Sequence, residues 1–254
     1  MRCFEPLWIA LSTYSAVPVP QFEWTERPMK YAICWLPAVG ALCGGALWAW
    51  TVLADALHLS GVLFAAVAVC IPLLMTGGIH MDGYMDTMDA LSSHQSRERM
   101  LEIMKDPNCG AFAVLHCGVY LLLQLGLVHE LHQRGWIGPL CLLFVLSRAL
   151  TALCAVNLPN ARKNGMLCAY TKNTDRKIAN STLAILAFLT CGGLLLLSPA
   201  VGGGAVAATL CAVLFYKQMA LKQFGGVTGD TSGFLLQLCE LVGLAGGLVG
   251  GMIA

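Results

Sequence analysis

Long apolar runs dominate this sequence and leave it few folds to choose from. Residues 32–53, 59–78, 110–128, 137–158, 178–197, 201–216 and 233–254 are almost free of charge. A helix needs about 20 such residues to cross a bilayer, and helices suit that setting because each satisfies its own backbone hydrogen bonds. Charged side chains make up only 11% of the 254 residues, against roughly 25% in soluble domains. The chain therefore reads as all-α, a polytopic integral membrane helical bundle of about seven spans forming a single membrane-embedded domain over 1–254. The lipid bilayer is its first partner.

Two shorter helices are expected beside the spans. The apolar stretch 7–17 is too short to cross comfortably, so it lies at the interface, tilts, or enters and returns. With Glu5 ahead of it and Pro18-Val-Pro20 after it, it does not resemble a cleavable signal and is expected to be retained. Further on, 92–107 reads as an amphipathic surface helix. Ser92 with Gln95 resembles a capping box, Met100, Leu101 and Met104 share a face, and Pro107 stops it.

Each pair of spans returns the chain to the side it left, so loops 21–30, 80–109, 159–177 and 217–232 share one face. Of the 15 Lys and Arg residues, all but Arg2, Arg134 and Arg148 lie there. By the positive-inside rule that face is cytoplasmic. Trp35, Trp48 and Trp50 sit toward the ends of the first span, as interface anchors do.

A net charge of +1 gives no electrostatic case for nucleic acid. The 12 cysteines are scattered singly through apolar runs without a C-x-x-C pair, so they read as small core residues.

The polar face carries one unusual stretch, Thr76-Gly-Gly-Ile-His-Met-Asp-Gly-Tyr-Met-Asp-Thr-Met-Asp-Ala-Leu91. On a helix, Asp82, Asp86 and Asp89 fall within an arc of roughly 60°. Carboxylates that close raise one another's pKa unless a cation compensates, and an all-oxygen donor set favours a hard ion such as Mg²⁺. The alternative is a solvated acidic face just outside a span. Against it, Gly77 and Gly78 break the apolar run beside the acids, and unwound backbone at that depth is tolerated where protein or a water-filled cavity covers it.

Other candidates share that face. In Gly225-Gly-Val-Thr-Gly-Asp-Thr-Ser-Gly233, glycines would let backbone N–H groups approach a phosphate and Asp230 could add a metal ligand; a tight turn into the last span is the plainer alternative. Lys105-Asp106 could contact an anionic substrate or be a solvated pair. His80 could be a base or ligand, or a satisfied polar residue. Arg148 and Glu240 lie inside predicted spans, where an ionisable group is a functional candidate by default; for Arg148, pairing with a buried acid stands beside substrate contact.

The motif 77–91, the following Arg99-Met-Leu-Glu-Ile-Met-Lys-Asp106 with Gly110-Ala-Phe, and 225–233 together resemble the cobalamin synthase family, the adenosylcobinamide-GDP ribazoletransferases. The resemblance spans essentially the whole chain and includes Val17-Pro-Val-Pro20, though Ala16 stands where the family often has arginine. It implies a multi-pass enzyme of the bacterial inner membrane with its active site facing the cytoplasm. The implied reaction transfers the adenosylcobinamide-phosphate group of adenosylcobinamide-GDP to α-ribazole or its 5′-phosphate, releasing GMP, with Mg²⁺ as cofactor. In that reading Asp82, Asp86 and Asp89 hold Mg²⁺, and Asp230 completes the shell or holds a second ion. Lys105 faces the diphosphate, His80 stands beside the reacting groups, and Gly77, Gly78, Asp106, Gly225, Gly226, Thr228, Gly229 and Arg148 are expected substrate contacts. Assembly as a homo-oligomer is left open.

Two other functions fit less well. CDP-alcohol lipid head-group phosphotransferases also carry spaced aspartates on a membrane helix, but Asp86-Thr87 stands where their Ala-Arg pair would be. A cation transporter would place ionisable residues near the midplane of its spans, which here hold few besides Arg148 and Glu240.

Overall fold

The computed structural model describes residues 4–20 and 26–254, apart from the side chains of Glu26 and Arg27. Expectations for residues 21–25 and for Arg27 in loop 21–30 therefore lie outside the described residues. In chain order the helices are α1 (Glu5–Tyr14), α2 (Glu26–Ala32), α3 (Leu36–Ala56), α4 (Gly61–Thr76), α5 (Ile79–Ser92), α6 (Arg97–Ile103), α7 (Ala111–Gln133), α8 (Ile137–Leu140), α9 (Leu143–Asn157), α10 (Met166–Lys172), α11 (Arg176–Leu197), α12 (Pro199–Met219) and α13 (Gly229–Ile253).

Among the described residues six segments are long and apolar enough to cross a membrane: Pro28–Ala56, α7, Ile137–Asn157, α11, Pro199–Phe224 and α13. The bent pair α4 and α5, taken as one, makes a seventh. Between them Gly77 and Gly78 adopt φ of 62° and 78°, a left-handed geometry that costs a residue with a Cβ, and the axis turns by 94°. The apolar run ends at that turn. Beyond it α5 carries the acids off at that angle to the 16-residue α4.

Several boundaries differ from the sequence reading. The N-terminal apolar stretch is a ten-residue helix, about 15 Å long at 1.5 Å per residue and too short to span. α5 runs through Ser92, so the cap of the surface helix is Ser96, whose Oγ accepts from Arg99 N at 3.4 Å, and not Ser92. The arm expected to be short, 201–216, extends as Pro199–Phe224, because helix continues through Lys217 and widens into a π-type turn over Ala220–Phe224. The polar segment expected over 217–232 is thus helical at both ends, with only residues 225–228 between α12, its π turn and α13. Trp48 is exposed as an anchor would be, whereas Trp50 donates from Nε1 to Phe64 O at 3.0 Å and packs against α4.

The loops assigned to one face are tied together. Ala161 N donates to Val227 O at 2.9 Å and Val227 N to Pro159 O at 2.8 Å, joining loop 159–177 to the turn before α13. Asp175 N donates to Lys30 O at 3.3 Å, and Ala16 N to Met75 O at 2.8 Å. At the other end His132 Nε2 lies 2.9 Å from Asp55 Oδ1.

Midway between, the side chains of Arg148 and Glu240 form an ion pair, each 1% exposed. Ser147 Oγ adds a bond to Glu240 Oε1 at 3.3 Å, and Arg148 Nη1 donates to Phe144 O at 3.0 Å. The expectation that Arg148 contacts substrate gives way to its alternative. A carboxylate one helix away holds the guanidinium inside the bundle, where neither charge is tolerable alone.

Candidate active site

The acidic stretch and the glycine-bounded turn meet directly. α5 crosses the first turn of α13 backbone to backbone: a Cβ added at Gly83 would sit 2.8 Å from Asp230 O, and one added at Gly233 would sit 2.9 Å from His80 O. Only residues without side chains permit that approach. Tyr84 fixes the crossing, stacked on Phe234 at a centroid distance of 5.6 Å and tilted against Tyr120 at 5.1 Å. On α13, Thr228 and Thr231 form a reciprocal capping box that sets where the helix begins.

The carboxylates do not all face alike. Asp82 is exposed, while Asp86 and Asp89 are half-buried. The Asp89 carboxylate lies against Gly110, the residue that begins α7, so close that a Cβ there would collide with it. Asp230 accepts from Arg162 Nη1 at 3.1 Å, and Arg162 Nη2 also donates to Leu101 O at 3.1 Å. Burial, and then repulsion from Asp82, Asp230 and Asp89, pushes the Asp86 carboxyl up to about 6, with Arg162 opposing. His80 is buried and stacks on Tyr14 with centroids 6.1 Å apart. Burial, with a further push from Arg148, pulls its imidazole down to about 3, so it is neutral.

The four carboxylates offer only oxygen donors, Arg162 acts on Asp86 and Asp230, and the Arg97 guanidinium lies against Gly225 in the adjoining turn. Among the described residues, no group of three or more His, Cys, Asp or Glu is placed to hold a metal ion by itself. Mg²⁺ usually keeps several waters and binds one or two carboxylates plus substrate phosphates. The acidic face fits that open mode of binding and not a closed protein cage.

The remaining candidates divide. Gly225, Gly226, Thr228 and Gly229 form the turn beside Asp230, and Gly77 and Gly78 form the bend at the start of α5. Lys105 and Asp106 are exposed beyond α6, where Asp106 accepts from Asn108 N at 2.9 Å and Nδ2 at 2.8 Å. No described contact joins Lys105 to the carboxylates. Sequence reasoning counted Arg162 only as one of many basic residues on this face. No local motif marks it, because its partner lies 68 positions away. A cavity of about 260 Å³ reaches inward from Asp82 and Asp230, past His80, to Thr151.

Fold and site together define a multi-pass helical membrane protein with a carboxylate-rich centre at one end of its bundle. The profile of the family described as Cobalamin-5-phosphate synthase matches residues 6–248, and the chain belongs to that family. A protein from Lachnoclostridium phytofermentans named adenosylcobinamide-GDP ribazoletransferase is 42% identical over 254 residues, covering 100% of this chain and 97% of its own. Proteins of the same name from Desulfitobacterium hafniense and Pseudomonas entomophila are 37% and 35% identical, covering 97% and 95% of this chain and 97% of their own in both cases. No solved structure matches the chain.

Proposed function

We propose that this protein is a Mg²⁺-dependent adenosylcobinamide-GDP ribazoletransferase of the bacterial inner membrane, working on the cytoplasmic side. The observation that carries the reading is the contact of the two acidic motifs at Gly83 and Asp230 in a chain of this family. The orientation is supported by the basic residues gathered on the face that holds them.

In the reaction an oxygen of α-ribazole, or of its 5′-phosphate, bonds to the cobinamide-linked phosphorus of adenosylcobinamide-GDP while the bond from that phosphorus to GMP breaks. The phosphorylated substrate keeps its 5′-phosphate in the product, so the attacking oxygen is another ribose hydroxyl. Such transfers depend mainly on positioning and charge stabilisation. Two of the carboxylates Asp82, Asp86 and Asp230 would hold Mg²⁺ together with substrate phosphates, and it would supply neutralisation of the diphosphate oxygens and of the departing GMP; Asp89, expected as a ligand from its helical phase, is set aside because its carboxylate lies against Gly110. Arg162 fixes the Asp230 carboxylate by its 3.1 Å bond. The N–H groups of residues 225–228 are already bonded within the protein, so an anion here would meet the first turn of the 25-residue α13, from Gly229, where the helix dipole favours it. Lys105, beyond α6, adds positive charge toward the diphosphate.

The test is turnover by the purified protein in detergent with both precursors. GMP and the joined corrinoid should appear in equal amounts, and a chelator should stop both. Release of GMP without ribazole incorporation would reject the transfer.

A further inference from the structure

The cavity behind Asp82 and Asp230 is mostly apolar, yet two of its lining residues carry a buried polar atom with no partner among the described residues. Leu36, Ile33 and Leu236 form much of its wall, and the stacked Tyr14 and His80 give it an aromatic side. His80 and Thr151 are 6% and 3% exposed and both line it, and His80 Nε2 and Thr151 Oγ1 make no hydrogen bond to any described residue. Buried polar atoms are almost always satisfied, so an unpartnered atom on each of two residues that line one cavity points to a ligand that supplies what is lacking. We propose that this cavity is the subsite for the base of α-ribazole, a neutral, apolar bicyclic ring, and that the Thr151 hydroxyl donates to its single acceptor nitrogen while the His80 ring packs against it.

The inference rests on the transferase reading, and cavity chemistry selects among the groups the two substrates bring. At about 260 Å³ the cavity lies just under the range of drug-sized ligand pockets, roughly 300–1,000 Å³, too small for a corrin ring. Guanine carries donors and acceptors along two edges, and in a wall with two unpaired polar atoms most of them would be buried without partners, at a high cost. A methylated benzimidazole presents one acceptor and otherwise apolar surface, which matches the wall. With the base inserted, its ribose would lie at the cavity mouth, beside the Asp82 and Asp230 carboxylates.

Steady-state kinetics of the full-length protein in detergent tests this. Thr151→Val keeps shape and removes the orphan hydroxyl, so the fold should be as stable as before or more so. KM for α-ribazole should rise about tenfold, the cost of one hydrogen bond, while KM for adenosylcobinamide-GDP stays within twofold. Ala152→Leu, which fills the same cavity, should shift preference from α-ribazole to the riboside of unmethylated benzimidazole. If Ala152→Leu does not fold, the Thr151→Val kinetics decide alone. Wild-type turnover with unchanged ribazole KM in Thr151→Val, or a change confined to the corrinoid substrate, overturns the subsite and leaves the transferase reading intact. Absence of wild-type turnover sinks both.

Discussion

The Arg162 guanidinium donates to Asp230 Oδ2 at 3.1 Å, joining the loop after α9 to the first turn of α13. Both side chains are about three-quarters buried, with exposures of 22% and 27%. The bond aims a carboxylate at the acidic face of α5. Arg162→Gln removes the charge and loosens that carboxylate, and hydrogen bonds to charged groups contribute about 1.5–3 kcal/mol, so kcat should fall about 10- to 100-fold. Wild-type kcat in Arg162→Gln would show that the pair is incidental.

Asp86 makes the site's metal response depend on pH. Its folded-state pKa of about 6 lies above the ordinary 3.8. The folded protein therefore holds this proton more tightly than the unfolded chain does. Between pH of about 4 and 6 the metal-free protein should lose stability as pH rises, and the loss should level off above that window. Mg²⁺ binds the charged form, so the rise in Tm that it produces should be larger near pH 7.5 than near pH 5. An equal or larger rise near pH 5 would contradict the acidic site.

For the Arg148–Glu240 pair, breaking one partner should differ from removing both. Arg148→Met leaves Glu240 charged and buried, a defect of about 3–5 kcal/mol. The double variant Arg148→Met with Glu240→Gln should recover most of the lost Tm in detergent. If the double variant is no more stable than the single one, the two charges are not balancing each other.

The all-helical, multi-pass architecture was legible in the sequence because it follows from hydropathy, which needs no knowledge of packing. The helical phase of Asp82, Asp86 and Asp89 was legible for the same reason. Their differing surroundings were not: Asp89 lies against Gly110, a contact made only when α7 docks. The roles of Arg148 and Arg162 depend on partners 92 and 68 positions away, and no local pattern encodes such distances. The surface-helix cap slipped from Ser92 to Ser96 because several polar residues in a row can each start a helix, and packing of α5 through Ser92 decides among them.

Orientation can be read independently of activity. Cys109 is exposed on the loop before α7, so an impermeant thiol reagent should label it only from the cytoplasmic side. A reporter inserted within 129–135 should appear on the other side. Labelling of Cys109 from outside would invert the topology.

The most direct test of one shared reaction centre is a double-mutant cycle on kcat for GMP release, using Asp82→Asn and Asp230→Asn. Loss of a group that stabilises transition-state charge costs about 10²–10³ in rate, and each single variant should show a loss of that order. Because both carboxylates would serve the same ion, the double variant should be little worse than the more damaged single variant. Losses that multiply, so that the double variant falls by the product of the two single effects, would place Asp82 and Asp230 in separate sites and contradict the account.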